Sequence, residues 1–190
     1  MTVFVAVTGA SGATYADRAI RALAEAGVEV WATLTPTAGD IVRHELGIDP
    51  RELGGPEANV TWYARDDLSA PPASGSSCAD AMLVAPCSMG TLGRIAAGTA
   101  ESLVTRAADV CLKERRPLVL VTRETPLSLI HLRNMTTLTE AGAVILPACP
   151  HFYTGPATID DLVETVVGRA LAHLGVPNVS QRRWSPPPGP

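Results

Sequence analysis

The sequence predicts an α/β fold in which one parallel sheet is covered by helices on both faces. Short β-branched apolar segments such as Thr2–Val7 alternate along the chain with longer segments in which apolar residues recur at helical spacing. Leu118–Val121 is an unbroken apolar run, which is typical of a parallel strand buried on both sides. Because alternating strands and helices connect by right-handed crossovers, these patterns indicate a single-domain, doubly wound sheet of the Rossmann or flavodoxin-like kind.

Six strands and the helices between them can be placed in order. The predicted strands are Thr2–Val7, Val28–Leu34, Asn59–Tyr63, Ala81–Ala85, Leu118–Val121 and Gly142–Pro147. Gly27 closes the first helix, Thr35-Pro36 starts the second, and Ser88 caps the third. The fourth helix carries an apolar stripe of Leu103, Ala107, Val110 and Cys111 and is ended by Pro117. Thr125 is the predicted cap of a helix from Pro126 to about Ala141, and Thr158 that of a helix from Ile159 to about Leu174. We assign residues 1–175 to the domain and residues 176–190 to a proline-rich tail.

The composition excludes several classes of protein. The chain has 190 residues, of which 46% are hydrophobic and 18% charged, as in a folded domain. The net charge is −4 and basic residues cluster only at Lys113–Arg116, so nucleic acid is not an expected partner. The N-terminus lacks a basic signal-peptide region and no apolar run could span a membrane, which predicts a cytoplasmic protein. The spacing of the four cysteines matches neither a zinc site nor a redox pair, and no metal is expected.

Polar residues follow four of the predicted strands, and the carboxyl ends of parallel strands share one edge of a sheet. These residues are Ser11, Ser88, Arg123 and Tyr153. We therefore expect a ligand site at that edge. The turn containing Gly9 and Gly12 precedes a helix and could present N–H groups to a phosphate. It is not the dinucleotide fingerprint, however, and a plain tight turn fits it as well.

The segment from Arg106 to Pro126 combines a helix, a buried strand and two charges at the end of that strand. Arg106 and Lys113 are two helical turns apart and share one face. Arg123 and Glu124 follow the strand directly. A solvated charge cluster, with Lys113 paired to Asp109 one turn earlier, is the alternative interpretation.

Five motifs occur in order along the chain. They are Thr8–Ala13, Pro72–Ser77, Pro86–Leu92, Arg106–Leu120 with Arg123 and Glu124, and the region Gly142–Tyr153. Together they closely resemble the flavin prenyltransferases, the UbiX-type relatives of the flavin-dependent cysteine decarboxylases. The likeness extends from about residue 3 to residue 184 and is weakest over Gly47–Leu68.

The resemblance implies an activity and a set of partners. Members of the family transfer a dimethylallyl group from dimethylallyl monophosphate to reduced FMN and so add a fourth, non-aromatic ring to the flavin. The product, prenylated FMN, is the cofactor of a partner decarboxylase. The resemblance also implies a homo-oligomer, a dodecamer, and a reaction that needs no metal. It leaves open which decarboxylase is served and whether a monophosphate or a pyrophosphate donor is preferred.

The resemblance further assigns roles to individual residues. FMN would be held by Gly9, Ala10, Ser11, Thr35, Ser88, Met89, Gly90, Thr91 and Arg123. The donor would be held by Lys113, Arg123, Tyr153, Arg169 and Trp184, in part across subunit boundaries. Proton handling and catalysis would fall to Ser11, Glu45, Lys113 and Glu124, with Glu124 also orienting Arg123. His131 and His151 match no essential position of the family and are expected to be structural or solvent-facing.

One position departs from the family, and two other functions compete with the transferase. Leu68 stands where the family often has a tryptophan, so an aromatic wall of the prenyl pocket is missing or is supplied elsewhere, for example by Trp62. The first competitor is a decarboxylase of the cysteine-decarboxylating type, which would need an active-site histidine in the middle of the chain. No histidine occurs between His44 and His131. The second is a non-catalytic FMN-binding subunit of a decarboxylase.

Overall fold

The computed structural model describes residues 1–176 and contains one six-stranded sheet. The strands are β1 (Thr2–Val7), β2 (Glu29–Leu34), β3 (Val60–Trp62), β4 (Ala81–Cys87), β5 (Leu118–Thr122) and β6 (Val144–Pro147). Their order across the sheet is β3-β2-β1-β4-β5-β6, and every neighbouring pair is parallel. This is the doubly wound topology that the sequence predicts, with the strand order reversing between β1 and β4.

Within residues 1–176, six α-helices cover both faces of the sheet. They are α1 (Ala13–Glu25), α2 (Pro36–Leu46), α3 (Met89–Ala96), α4 (Leu103–Lys113), α5 (Leu129–Glu140) and α6 (Ile159–His173), with short 3-10 helices at Pro50–Glu52 and Pro71–Ala73. The helices α1, α2 and α6 share one apolar cluster with alternate residues of the strands. The helices α3, α4 and α5 share the second cluster with the remaining strand residues.

The two clusters follow directly from the alternation of side chains along each strand. Val3 and Val5 of β1 belong to the first cluster, while Phe4 between them belongs to the second. Burial on both faces also explains why β4 and β5 are apolar at nearly every position. Both strands are buried along their whole length and form the centre of the core.

Three of the four predicted helix caps are confirmed, and the one predicted for α5 is wrong. The hydroxyls of Thr35, Ser88 and Thr158 accept N–H groups in the first turns of their helices, as predicted. The prediction that Thr125 caps a helix starting at Pro126 is wrong, because α5 begins three residues later with Ser128 as its cap. Nδ1 of His131 accepts the N–H of Ser128 at 3.2 Å and completes a capping box, so His131 is structural, as expected.

The Thr8 hydroxyl joins β1 to β4 at the point where the strand order reverses. It donates to the carbonyl of Pro86 and accepts the N–H of Ser88, both at 2.8 Å. Thr8 and Pro86 are buried and Ser88 is half-buried, so both bonds lie largely away from water. These bonds therefore hold together the ends of β1 and β4, which are separated in the sequence by β2, β3 and the segments around them.

Two remaining predictions concern the termini and the membrane. Within residues 1–176, no helix combines the length and apolar character needed to cross a bilayer. The proposed tail, including Trp184, lies outside the described residues, and the domain boundary near residue 175 stays a prediction.

We expect Thr8→Val to destabilise the protein by about 1–3 kcal/mol, because it leaves the half-buried N–H of Ser88 without its partner and removes one of the two donors to the Pro86 carbonyl, which keeps the backbone N–H of Thr8 at 3.3 Å. The measurement is the free energy of unfolding from urea denaturation. Thr33→Val is the matched control, since Thr33 is also a buried strand threonine but makes one hydrogen bond, to the carbonyl of Tyr63 at 3.1 Å. Equal losses of stability in the two variants would contradict the role given to Thr8.

Candidate active site

The carboxyl ends of β1, β4, β5 and β6 lie side by side along one edge of the sheet. Ser11 follows β1, Ser88 follows β4, Arg123 follows β5, and the segment 148–158 with Tyr153 follows β6. The order reversal opens a crevice between β1 and β4, and ligands of doubly wound sheets bind at such a crevice. The structure thus places these predicted residues at one edge, with β1 and β4 at its centre.

Glu45 binds the amino end of α1. Its carboxylate accepts the N–H of Gly12 at 2.9 Å and the N–H of Ala13 at 2.8 Å, although it lies on α2. Gly12 adopts φ 110°, a left-handed conformation that favours glycine, and this conformation turns the chain into the helix. Of the two interpretations of the glycine-rich turn, the plain tight turn agrees better with this geometry, because a carboxylate of the same chain accepts the N–H groups of Gly12 and Ala13.

The surroundings of Glu45 keep its carboxylate ionised. Partial burial by itself would raise the pKa of Glu45, but hydrogen bonds from the Ser11 hydroxyl and from the N–H groups of Ala13 and Gly12 lower it. The positive charge of Arg123 acts in the same direction, and the net result is a pKa below the usual range. Ser11, Glu45 and Arg123 are therefore close enough to influence one another, as proton-handling roles would require.

Arg123 is half-buried and carries an unsatisfied donor. Its backbone N–H bonds to the carbonyl of Cys87 at 3.3 Å, which ties the end of β5 to the end of β4. Its Nε is buried without a hydrogen-bond partner in residues 1–176. A buried guanidinium donor is costly to leave unpaired, so this position fits an anionic ligand.

Tyr15 and Cys149 complete the surroundings of Arg123. Burial raises the pKa of the Tyr15 hydroxyl, the nearby Cys149 raises it further, and Arg123 opposes both effects. The sequence interpretation missed these two residues and Thr8. Their positions in the sequence could have indicated them, because Thr8 follows β1 directly and Cys149 comes two residues after the end of β6.

The remaining predicted FMN residues lie around the β1–β4 crevice. The Ser88 hydroxyl accepts the N–H of Thr91 at 3.3 Å and so orders the start of α3, which holds Met89 and Gly90. The turn after β1 packs on the start of α2, where a Cβ added to Gly9 would lie 2.9 Å from Cβ of Thr37. Gly9 therefore has to be glycine for these two segments to meet.

Lys113 lies near the amino ends of the strands, opposite the carboxyl edge described above. It is the last residue of α4, which leads to the amino end of β5, whereas Arg123 follows the carboxyl end. The five residues of β5 separate these two edges by roughly 16 Å. One chain therefore does not bring Lys113 and Arg123 together.

The alternative pairing of Lys113 with Asp109 is also wrong. Asp109 pairs with Arg106 at 2.7 Å, and the ammonium of Lys113 pairs with Glu114. A Cβ added to Gly75 would overlap both Lys113 and Glu114, so the Pro72–Ser77 motif packs directly on this ion pair. A second polar cluster, made of that motif and the end of α4, thus occupies the amino edge.

The expected contact by which Glu124 would orient Arg123 is not present in the described residues. Its carboxylate accepts the N–H of Thr125 at 3.0 Å, and no ion pair joins it to Arg123 within the described chain. Glu124 is exposed at the carboxyl edge, where a ligand could reach it.

Tyr153 and Arg169 lie on the loop after β6 and on α6. Tyr153 is 58% exposed, and its ring stacks on the ring of His151 with a centroid separation of 4.0 Å. Arg169 is exposed on α6.

Leu68, where the family often has a tryptophan, is exposed, and Trp62 lies on edge strand β3 with the guanidinium of Arg51 5.1 Å above its ring. One face of Trp62 is thus covered by Arg51, away from the β1–β4 crevice.

Comparison with known proteins identifies the class. A model of the Flavoprotein family matches residues 1–171. The flavin prenyltransferase UbiX of Methanothermobacter thermautotrophicus is 48% identical over 183 residues, which are 96% of this chain and 95% of that protein. UbiX of Pseudomonas aeruginosa is 43% identical over 194 residues, covering 96% and 93% of the two chains. The chain belongs to the Flavoprotein family.

Solved structures agree with this family assignment and indicate a subgroup within the family. The crystal structure of AnUbiX (PadA1) with FMN and dimethylallyl pyrophosphate superposes with a TM-score of 0.92, at 42% identity over 97% of each chain. The dodecameric FMN-dependent UbiX-like decarboxylase of Escherichia coli O157:H7 gives the same TM-score and identity over 98% of this chain and 100% of that one. Within its family, the chain belongs with the UbiX flavin prenyltransferases.

We expect Glu45→Gln to destabilise the protein by about 0.5–1 kcal/mol at neutral pH, because a charged carboxylate at a helix amino end is replaced by an amide. The lowered pKa of Glu45 means that its stabilisation is present above the usual glutamate range and is lost as the pH falls through the folded-state pKa. The difference between wild type and variant should therefore shrink from about pH 7 to about pH 3 in urea denaturation. A difference independent of pH would contradict this, and Glu57→Gln, at an exposed glutamate, is the control.

Proposed function

We propose that this chain transfers the dimethylallyl group of dimethylallyl monophosphate to reduced FMN, forming prenylated FMN and releasing phosphate. The observation that carries the proposal is the unpartnered, buried Nε of Arg123 at the carboxyl edge of the sheet. Buried donors in folded proteins are nearly always paired, so an unpaired one needs an explanation. An anionic ligand that accepts a hydrogen bond from Nε provides it. Membership among the UbiX flavin prenyltransferases supplies the identity of the anions.

FMN fits the crevice between β1 and β4. The residues proposed to hold it are Gly9 to Ser11, Thr35, Ser88 to Thr91 and Arg123, which lie on adjoining turns around that crevice. The requirement for glycine at position 9 agrees with a turn whose backbone must stay close to its neighbours. When bound, the reduced flavin supplies the nucleophilic atoms for carbon bond formation.

The protein's own task is to hold the donor and help its phosphate leave. As the bond from carbon to the phosphate oxygen breaks, negative charge grows on the phosphate and cationic donors stabilise it. The proposed donors are Arg123 and Tyr153, which follow the carboxyl ends of β5 and β6, and Arg169 on α6. Ser11, Glu45 and Glu124 are proposed to hold or move protons, and the position of Glu45 is fixed by its bonds to α1. Trp184, proposed for the prenyl pocket, lies outside the described residues.

Lys113 is proposed to act in the site of a neighbouring copy. It lies at the amino edge with the Pro72–Ser77 motif, so it reaches a donor only if a second chain presents it. The exposed apolar side chains near α5 and β6 provide a surface for such association. They are Leu129, Ile130, Leu132, Phe152 and Ile159. We propose a dodecamer, in line with the dodecameric relative from Escherichia coli.

The proposal extends to the cellular setting. We propose that the product passes to a decarboxylase that uses prenylated FMN as its cofactor. We place the reaction in the cytoplasm, because its substrate is a reduced flavin and the four cysteines are free thiols, as suits a reducing compartment.

Neither competing function gains support. The cysteine decarboxylase TvaF is 20% identical to this chain, and that likeness concerns the fold alone. A subunit that merely binds FMN would not need cationic and phenolic groups beyond the flavin residues, yet Tyr153 and Arg169 are both exposed.

The decisive test is the fate of the flavin. Reduced FMN is incubated anaerobically with the protein and dimethylallyl monophosphate, and the recovered flavin is examined by mass spectrometry and absorbance. We expect the mass of one added dimethylallyl unit and a stoichiometric release of phosphate. Parallel incubation with the pyrophosphate distinguishes the two donors. Recovery of unchanged FMN with both donors would overturn the proposed function.

A mixing experiment tests the sharing of sites between copies. Lys113→Ala and Arg123→Ala should each reduce turnover by about 10- to 100-fold, because each removes a charge-assisted contact to the leaving phosphate. Co-expression of the two variants should restore about a quarter of wild-type activity, since random mixing pairs intact residues from different chains in that fraction of sites. Co-expression of Arg123→Ala with Glu124→Gln is the control and should restore little, because both positions lie at the carboxyl edge of one chain. Equal recovery in both mixtures would contradict shared sites.

A further inference from the structure

We propose that His151 is a positioning residue that fixes the Tyr153 hydroxyl relative to Arg169, so that both reach the same donor phosphate. The inference rests on the proposed function and concerns a residue to which the family resemblance assigns no role. Its basis is a stack with Tyr153 on one side and a hydrogen bond to α6 on the other.

The stack restrains a side chain that would otherwise move freely. Tyr153 is 58% exposed, and an exposed tyrosine on a loop normally samples several rotamers. Here its ring lies on the imidazole of His151 with centroids 4.0 Å apart and planes inclined by 9°. This contact limits rotation about the first side-chain bond and sets the direction in which the hydroxyl points.

The hydrogen bond connects this stack to α6. The backbone N–H of His151 donates to Oγ1 of Thr165 at 3.4 Å, and that hydroxyl donates in turn to the carbonyl of Leu162 at 2.7 Å. Thr165 is buried and lies one turn before Arg169 on the same side of α6. His151 therefore links Tyr153 to the helix that carries the second proposed phosphate ligand.

Two unsatisfied polar atoms indicate that this loop is not arranged for its own stability. Nδ1 of His151 and Oγ1 of Thr154 are both buried without a hydrogen-bond partner in residues 1–176. Buried polar groups in proteins are nearly always paired, and exceptions concentrate at functional segments. The imidazole thus contributes its flat face to Tyr153, while its buried nitrogen makes no bond within the described chain.

A double-mutant cycle tests the inference, with kcat/KM for the donor as the readout. Tyr153→Phe should lower it by about 10- to 100-fold, because the phenol's bond to a charged phosphate is lost. His151→Ala should lower it by about 2- to 10-fold, the range expected for the loss of one aromatic pair. His151→Phe keeps a flat ring and should stay within about 2-fold of wild type. In the Tyr153→Phe background, His151→Ala should change the value by less than about 2-fold, because its effect passes through the hydroxyl.

Three controls separate this outcome from others. FMN affinity should be unchanged in all variants, and a loss of FMN binding by both His151→Ala and His151→Phe would point to a structural role and overturn the inference. His173→Ala changes an exposed histidine in the last turn of α6 and should have no effect. An undiminished effect of His151→Ala in the Tyr153→Phe background would mean that His151 acts on the donor itself, which also overturns the inference. A wild-type protein that forms no prenylated FMN would refute the proposed function instead.

Discussion

The hydroxyl of Thr8 holds the doubly wound sheet together at the point where its two halves diverge. It bonds to Pro86 and Ser88, residues 78 and 80 positions further along the chain. A crevice that receives a ligand cannot be filled with side chains, so the backbone groups around it risk being left unpaired. By satisfying a carbonyl and an N–H at once, Thr8 lets β1 and β4 stay in register while the turns after them remain available to a flavin.

Charge around this crevice is distributed in an unusual way for a nucleotide-binding fold. The amino end of the first helix commonly receives a phosphate in such folds, but here Glu45 occupies it. The unfilled position is instead the buried Nε of Arg123, two strands away from β1. This arrangement favours an anion near the ends of β4 and β5, and it agrees with the proton-handling roles proposed for Glu45 and Ser11.

The proposed chemistry divides the functional groups between the two edges of the sheet. Arg123 and Glu124 lie at the carboxyl edge, with Tyr153 on the loop after β6, whereas Lys113 lies at the amino edge beneath the Pro72–Ser77 motif. Because a parallel strand separates these edges within one chain, a complete donor site requires association. In the proposed assembly, the apolar side chains that α5 and the segment after β6 leave exposed would provide the contact between chains.

The sequence by itself determined the strands and three of the four helix caps that were predicted, because periodicity and capping depend on neighbouring residues. It misplaced the start of α5, since Thr125-Pro126 resembles a helix start while the Ser128–His131 capping box does the capping. Only the tertiary structure decided that Glu45 binds the end of α1, that His151 stacks on Tyr153, and that Lys113 lies far from Arg123 although the two are close in sequence. These outcomes depend on how helices of given length pack across the sheet, and that packing is set by contacts between residues distant in the chain.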